Sequence, residues 1–116
     1  MSAITTHVLD TALGRPAAGV PVRLEQVTAA GCTELGRAST DHDGRVARFA
    51  AGPAGPGTYR LVFDTAAYAA TRPGSADGEA CFFPEVAITF AVRDLTRDYH
   101  VPLLLSPFGY TTYRGS

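Results

Sequence analysis

The chain has 116 residues, 46% of them hydrophobic and 18% charged, with a formal net charge of -1. That length allows one domain with a sizeable core, and residues 1–116 are expected to form a single one. A near-neutral balance with no basic run gives nucleic acid or an anionic membrane no electrostatic handle, and a basic complement of ten arginines with no lysine excludes Schiff-base or lysine-nucleophile chemistry.

In chain order, "ITTHVLD" opens with alternation. Thr5, His7 and Leu9 stand opposite Ile4, Thr6 and Val8, so a core on the Ile4–Val8 side turns His7 outward. The first twenty residues have no basic n-region, and Asp10 interrupts any apolar run, so no secretory leader is expected. After a turn signal in "LGRPAAG", the stretch "VPVRLEQV" sets Val20, Val22 and Leu24 against Pro21, Arg23 and Glu25. "TDHDGR" reads as a turn carrying His42, with Arg45 directly after its Asp-Gly step. "AGPAGPG" is a further loop. In "TYRLVFD", Tyr59, Leu61 and Phe63 alternate with Arg60, Val62 and Asp64. The alanine-rich "DTAAYAATRPG" breaks the two-residue period. Asp64 as an N-cap and Pro73-Gly74 as a stop predict one short helix from about Thr65 to Arg72. A turn in "RPGSADG" leads to "EVAITFAVR", where Val86, Ile88, Phe90 and Val92 share a face. Short strands separated by such turns predict an all-β sandwich or barrel.

The chain closes in a predicted hairpin: "DYHVPLLL", a turn at Ser106-Pro107, then "FGYTTYR". Tyr99, Val101, Leu103 and Leu105 are expected to form core together with Phe108 and Tyr110. His100 then points away, on a half-apolar face with Pro102, Leu104 and Tyr113. Arg114 falls on the side opposite Tyr113.

Two strands therefore each carry one outward histidine, His7 and His100. Such a pair is either two independent surface groups or a base with its partner in one site. Zinc has little support, since no H-x-H, HExxH or CxxC spacing occurs and Cys32 and Cys81 lie far apart. The two cysteines are expected as reduced thiols. GxGxxG, P-loop and GxSxG motifs are absent, which removes the usual nucleotide and α/β-hydrolase chemistries. Arg45 is either a solvated loop residue or an oriented cation for an oxyanion or planar heterocycle. His42 is expected to be a turn residue.

"THVLD", "GRPAAGVPV", "TDHDGR", "FFPEV" and "YHVPLLLSPFGYTTYRGS" together resemble the transthyretin-like family, nearly end to end. The closing "YRGS" resembles the signature of its 5-hydroxyisourate hydrolase branch. The resemblance implies a transthyretin-like sandwich of two four-stranded sheets with one short helix. It further implies a homotetramer, a dimer of dimers built by edge-strand pairing, that encloses a channel. His7, Arg45 and His100 would be catalytic. Tyr113, Arg114, Gly115 and Ser116 would bind substrate, with Gly115 letting the backbone turn close to it. The implied reaction opens the lactam of 5-hydroxyisourate with water in urate catabolism, without metal or cofactor, in the cytoplasm, and involves neither nucleic acid nor membrane. The competing implication is a non-catalytic, transthyretin-type binder of small aromatic ligands. A purely structural sandwich would leave the outward histidines and the ending without a purpose. The assignment of base and orienter between His7 and His100 stays open.

Overall fold

In the computed structural model, which describes residues 3–49, 52–71 and 81–116, the two-residue period becomes two packed sheets. In chain order the elements are β1 (Ile4–Asp10), β2 (Arg15–Pro16), β3 (Pro21–Thr28), β4 (Gly31–Ser39), β5 (Arg45–Val46), β6 (Gly57–Phe63), α1 (Thr65–Thr71), β7 (Val86–Val92), β8 (Tyr99–Leu105) and β9 (Tyr110–Thr112). One sheet runs β4-β3-β6-β7, antiparallel throughout. The other runs β2-β1-β8-β9, with β5 also on β1. β2 pairs Leu9 and Asp10, whereas β5 pairs Thr6 and His7. The two short strands thus share one edge of β1, and β8 takes the other edge in parallel. The expected two four-stranded sheets are present, with one strand position split between β5 and β2.

Inner faces supply the core. Ile4 and Val8 of β1 and Tyr99, Val101, Leu103 and Leu105 of β8 are buried in one cluster. The same cluster holds Val22, Leu24, Tyr59, Leu61, Phe63, Val86, Ile88 and Val92 from the second sheet. Each such side chain contributes on the order of 2 kcal/mol through removal of its apolar surface from water.

The helix begins where its cap predicts. Asp64 Oδ1 accepts the Ala67 backbone N–H at 3.0 Å, which satisfies one of the otherwise orphaned first-turn donors. α1 runs to Thr71. The expected end at Arg72 and the turn over 72–78 lie outside the described residues. Buried Tyr68 donates its hydroxyl to Asp10 Oδ2 at 2.7 Å, and Asp10 Oδ1 accepts the N–H groups of Ala12 and Leu13. A carboxylate that is 2% exposed is tolerated because these donors replace its water. It ties α1 to the end of β1 and holds that strand in place.

One expectation about the core is corrected. Phe108 is 73% and Tyr110 41% exposed. The β8–β9 ladder ends at Leu105↔Tyr110, so Phe108 lies in the turn beyond it, where neither sheet covers the ring. Tyr110 packs edge-on against Phe83 instead, with centroids 5.3 Å apart. Both cysteines are free thiols, Cys32 exposed on β4 and Cys81 half-buried. Among the described residues, no helix is long and apolar enough to cross a membrane.

Candidate active site

The outward faces of β1 and β8 meet because the two strands pair side by side. In their register Thr5 stands opposite His100 and His7 opposite Pro102. Cross-strand partners share a face, so Thr5, His7, His100 and Pro102 form one patch on the side away from the core. On the other edge of β1, His7 pairs with Arg45, which brings that arginine to the same face.

The turn before Arg45 fixes where β5 begins. Asp41 Oδ1 accepts the backbone N–H groups of Asp43 and Arg45 at 2.9 and 3.0 Å. The Asp41 N–H donates to the Arg45 carbonyl at 3.0 Å. These bonds to the ionised form hold the Asp41 carboxyl below its usual range, the Arg45 N–H being the largest cause. Gly44 has a φ of 77°, in the left-handed region that favours glycine, and a side chain there would run into the Val8 carbonyl. His42 sits exposed in this turn, its Nε2 3.5 Å from Asp43 Oδ2, as expected of a turn residue.

The tail completes the face. β9 ends at Thr112, yet an isolated bridge joins His100 to Gly115, and the Gly115 N–H donates to the His100 carbonyl at 2.8 Å. The β9 register, Leu103↔Thr112, continues unchanged to this bridge. Extended chain alternates its faces, so Tyr113 and Gly115 lie on the histidine face beside Pro102 and His100. Ser116 follows, exposed. Arg114 is a candidate the structure does not bring there. Its guanidinium carbon sits 4.6 Å over the ring of Tyr99, a core-side residue, because position 114 must point opposite to 113 and 115. Alternation in the sequence places it the same way.

Gly115 has an unexpected reason to be glycine. It is not among the glycines with positive φ, so the backbone needs no special turn there. A Cβ on it would instead lie 2.5 Å from His100 Cδ2 and 3.3 Å from Pro102 Cγ. The bare backbone packs directly against the imidazole. On the ring's other side, His100 Nδ1 is 2.7 Å from Thr5 Oγ1. His100 is half-buried, and its pKa is lowered, first by burial and then by the charges of His7 and Arg45. A neutral imidazole near neutral pH is what a general base requires.

Thr5 is the contact that sequence reasoning missed. Alternation places it on the face of His7, but nothing local announces that β1 lies parallel to β8 across some ninety intervening residues. Among the described residues, the group able to gather on an ion is Asp41, His42 and Asp43, all exposed on the turn.

A family profile described as HIUase/Transthyretin family matches residues 4–115. The 5-hydroxyisourate hydrolase of Mus musculus is 45% identical over 119 residues, covering 99% of this chain and 96% of the relative. Among solved structures, 5-hydroxyisourate hydrolase of Klebsiella pneumoniae superposes with a TM-score of 0.82 at 34% identity, over the whole of both chains. Sea bream transthyretin in complex with thyroxine superposes with a TM-score of 0.85 at 32% identity, covering 97% of this chain and 94% of that one.

Proposed function

The chain belongs to the HIUase/Transthyretin family, and from that premise we infer that it is a hydrolase that opens 5-hydroxyisourate in urate catabolism. The observation that carries the reading is the single face on which His7, Arg45, His100 and the tail converge. A carrier pocket for an aromatic hormone needs apolar walls with few polar groups. This face instead offers two imidazoles and a guanidinium side by side.

In the proposed mechanism, a neutral imidazole takes a proton from water as the water oxygen bonds to the lactam carbonyl carbon. Charge developing on the carbonyl oxygen is met by Arg45, whose planar fork of donors suits an oxyanion. The ring C–N bond then breaks, and the nitrogen departs with a proton returned by the imidazole pair. The carbonyl becomes the carboxylate of 2-oxo-4-hydroxy-4-carboxy-5-ureidoimidazoline. Tyr113 and Ser116 hold the edges of the planar substrate by hydrogen bonds. Arg114 serves the site indirectly: its stacking on Tyr99 anchors the tail. Water, two histidines and an arginine suffice, so no metal or cofactor enters.

The working form is a homotetramer of single-domain chains in the cytoplasm, two edge-paired dimers enclosing a channel walled by the histidine face. Two observations support this assembly. Among the described residues, β7 and β9 are the last strands of their sheets, edges of the kind that can pair with a second chain. The site face also carries Leu9, Leu104 and the exposed Tyr113, apolar surface that a partner would shelter beside working histidines.

The test is the absorbance decay of freshly generated 5-hydroxyisourate with and without protein. Catalytic amounts should accelerate it with saturation kinetics. An unaltered decay, together with tight thyroxine binding, would replace the hydrolase by a carrier.

A further inference from the structure

The Thr5–His100 contact bears on which nitrogen of His100 does the work. The ring is held on two sides. Thr5 Oγ1 lies 2.7 Å from Nδ1, and the Gly115 backbone backs Cδ2. The Cε1–Nε2 edge is what remains to reach a substrate. A hydroxyl can donate or accept, and the choice has opposite consequences. If Thr5 donated to Nδ1, a neutral ring would carry its proton on Nε2 and meet substrate as a donor. If Thr5 accepts from Nδ1–H, Nε2 presents a lone pair and can take a proton from water. The surroundings favour the second arrangement. Arg45 is a fixed donor on this face and His7 pairs beside it, so a lone pair on Nε2 of His100 gives the attacking water an acceptor that does not depend on the state of His7.

We propose that Thr5 is a positioning residue that accepts a hydrogen bond from Nδ1–H of His100, holding the neutral ring in the tautomer whose Nε2 is the base. This rests on the hydrolase reading, and it gives His100 the proton-accepting role. His7, beside Arg45, is the group that orients substrate or returns the proton. The second nitrogen of a working histidine commonly takes its orientation from such a partner. Here the partner is neutral, so it selects the tautomer without strongly raising the ring's basicity. The groups facing His100 are Thr5 and His7 from β1, Arg45 from β5, and Tyr113 and Gly115 from the tail.

Thr5→Val keeps the shape and removes the hydroxyl; Thr5→Ser restores it. We expect Thr5→Val to lower kcat roughly tenfold, the scale of one neutral hydrogen bond, with little change in KM, and Thr5→Ser to recover most of it. The pH profile gives a sign. An accepting Thr5 favours the imidazolium, so its loss should move the acid limb of kcat/KM to lower pH. A donating Thr5 opposes protonation at Nδ1, so its loss would move that limb to higher pH. Nitrogen NMR of 15N-histidine-labelled protein, assigned with His7→Gln and His42→Gln, should show Nδ1 of His100 protonated and Nε2 bare at neutral pH. An Nε2-protonated His100 in the wild type would overturn the proposal, as would wild-type kcat in Thr5→Val or an acid limb displaced upward. The tautomer is read without substrate, so its outcome is separate from a failure of the chain to turn over 5-hydroxyisourate.

Discussion

Gly115→Ala isolates one contact of the site in a single methyl group. The new Cβ would sit 2.5 Å from His100 Cδ2, 3.2 Å from Cγ and 3.3 Å from Pro102 Cγ. Carbon atoms in good contact stand about 3.5 Å apart or more, so the closest approach falls short by about 1 Å. Something must move by that distance. If the ring yields, it swings away from Thr5 and loses the bond at Nδ1. If the tail yields, it gives up the Gly115 N–H bond to the His100 carbonyl and carries Tyr113 and Ser116 with it. Either shift misplaces a working group by about 1 Å, which can lower turnover about 100-fold. The stability cost is far smaller: one backbone hydrogen bond at the edge of the sheet is worth about 1 kcal/mol, or about 4 °C in Tm for a chain of this length. Absorbance decay of 5-hydroxyisourate and a thermal melt on the same preparation measure the two separately. Wild-type turnover in the variant would refute both the packing of Gly115 on His100 and the place of the tail in the site. Equal loss of structure and activity would show the residue to be a fold requirement.

His7→Ala and His100→Ala should each lose ~100- to 10,000-fold in kcat/KM while remaining folded, and His42→Ala should keep full activity; equal damage from His42→Ala would overturn the assignment by strand face. Because His100 is held below the usual histidine value of 6.5, the acid limb of kcat/KM should lie below that pH, and Arg45→Met, which removes one depressing charge, should move it upward. Folding carries a matching signature: below pH 6.5 the unfolded chain binds a proton that folded His100 refuses, so stability should fall with pH there, by less in His100→Gln. Deleting Arg114-Gly115-Ser116 should leave a folded protein with severely reduced turnover, and near-normal activity would show the ending to be dispensable. Light scattering should report about four chains per particle, and an active monomer would sink the channel assembly.

Much of the fold and the site is legible in the amino-acid sequence, for one physical reason. An extended chain alternates its side chains, so period two in "ITTHVLD" and "DYHVPLLL" is enough to put His7 and His100 on the faces opposite Ile4, Val8, Val101 and Leu103. The same alternation sets Arg114 apart from Tyr113, and it outweighs the family likeness that groups the two. Local chemistry likewise determines the start of α1 at the Asp64 cap and the turn ahead of Arg45. Where local pattern is extended into packing it fails. Phe108 and Tyr110 have the right residue type for a core, but burial depends on what lies opposite: Phe108 sits in a turn beyond the end of its ladder, and Tyr110, in the last ladder pair, packs edge-on against Phe83 rather than in the core.

Tertiary structure alone decided which outward faces became one face. β1 and β8 are parallel neighbours, Thr5 meets His100 across 95 positions of chain, and β5 delivers Arg45 to the other side of His7. Pairing between distant strands is set by the closure of the whole core, and no residue near Thr5 encodes which strand will lie beside it. The reason Gly115 is glycine is of the same kind. Its backbone conformation is open to any residue, and what excludes a side chain is an imidazole that the fold brings against it from fifteen residues earlier in the chain.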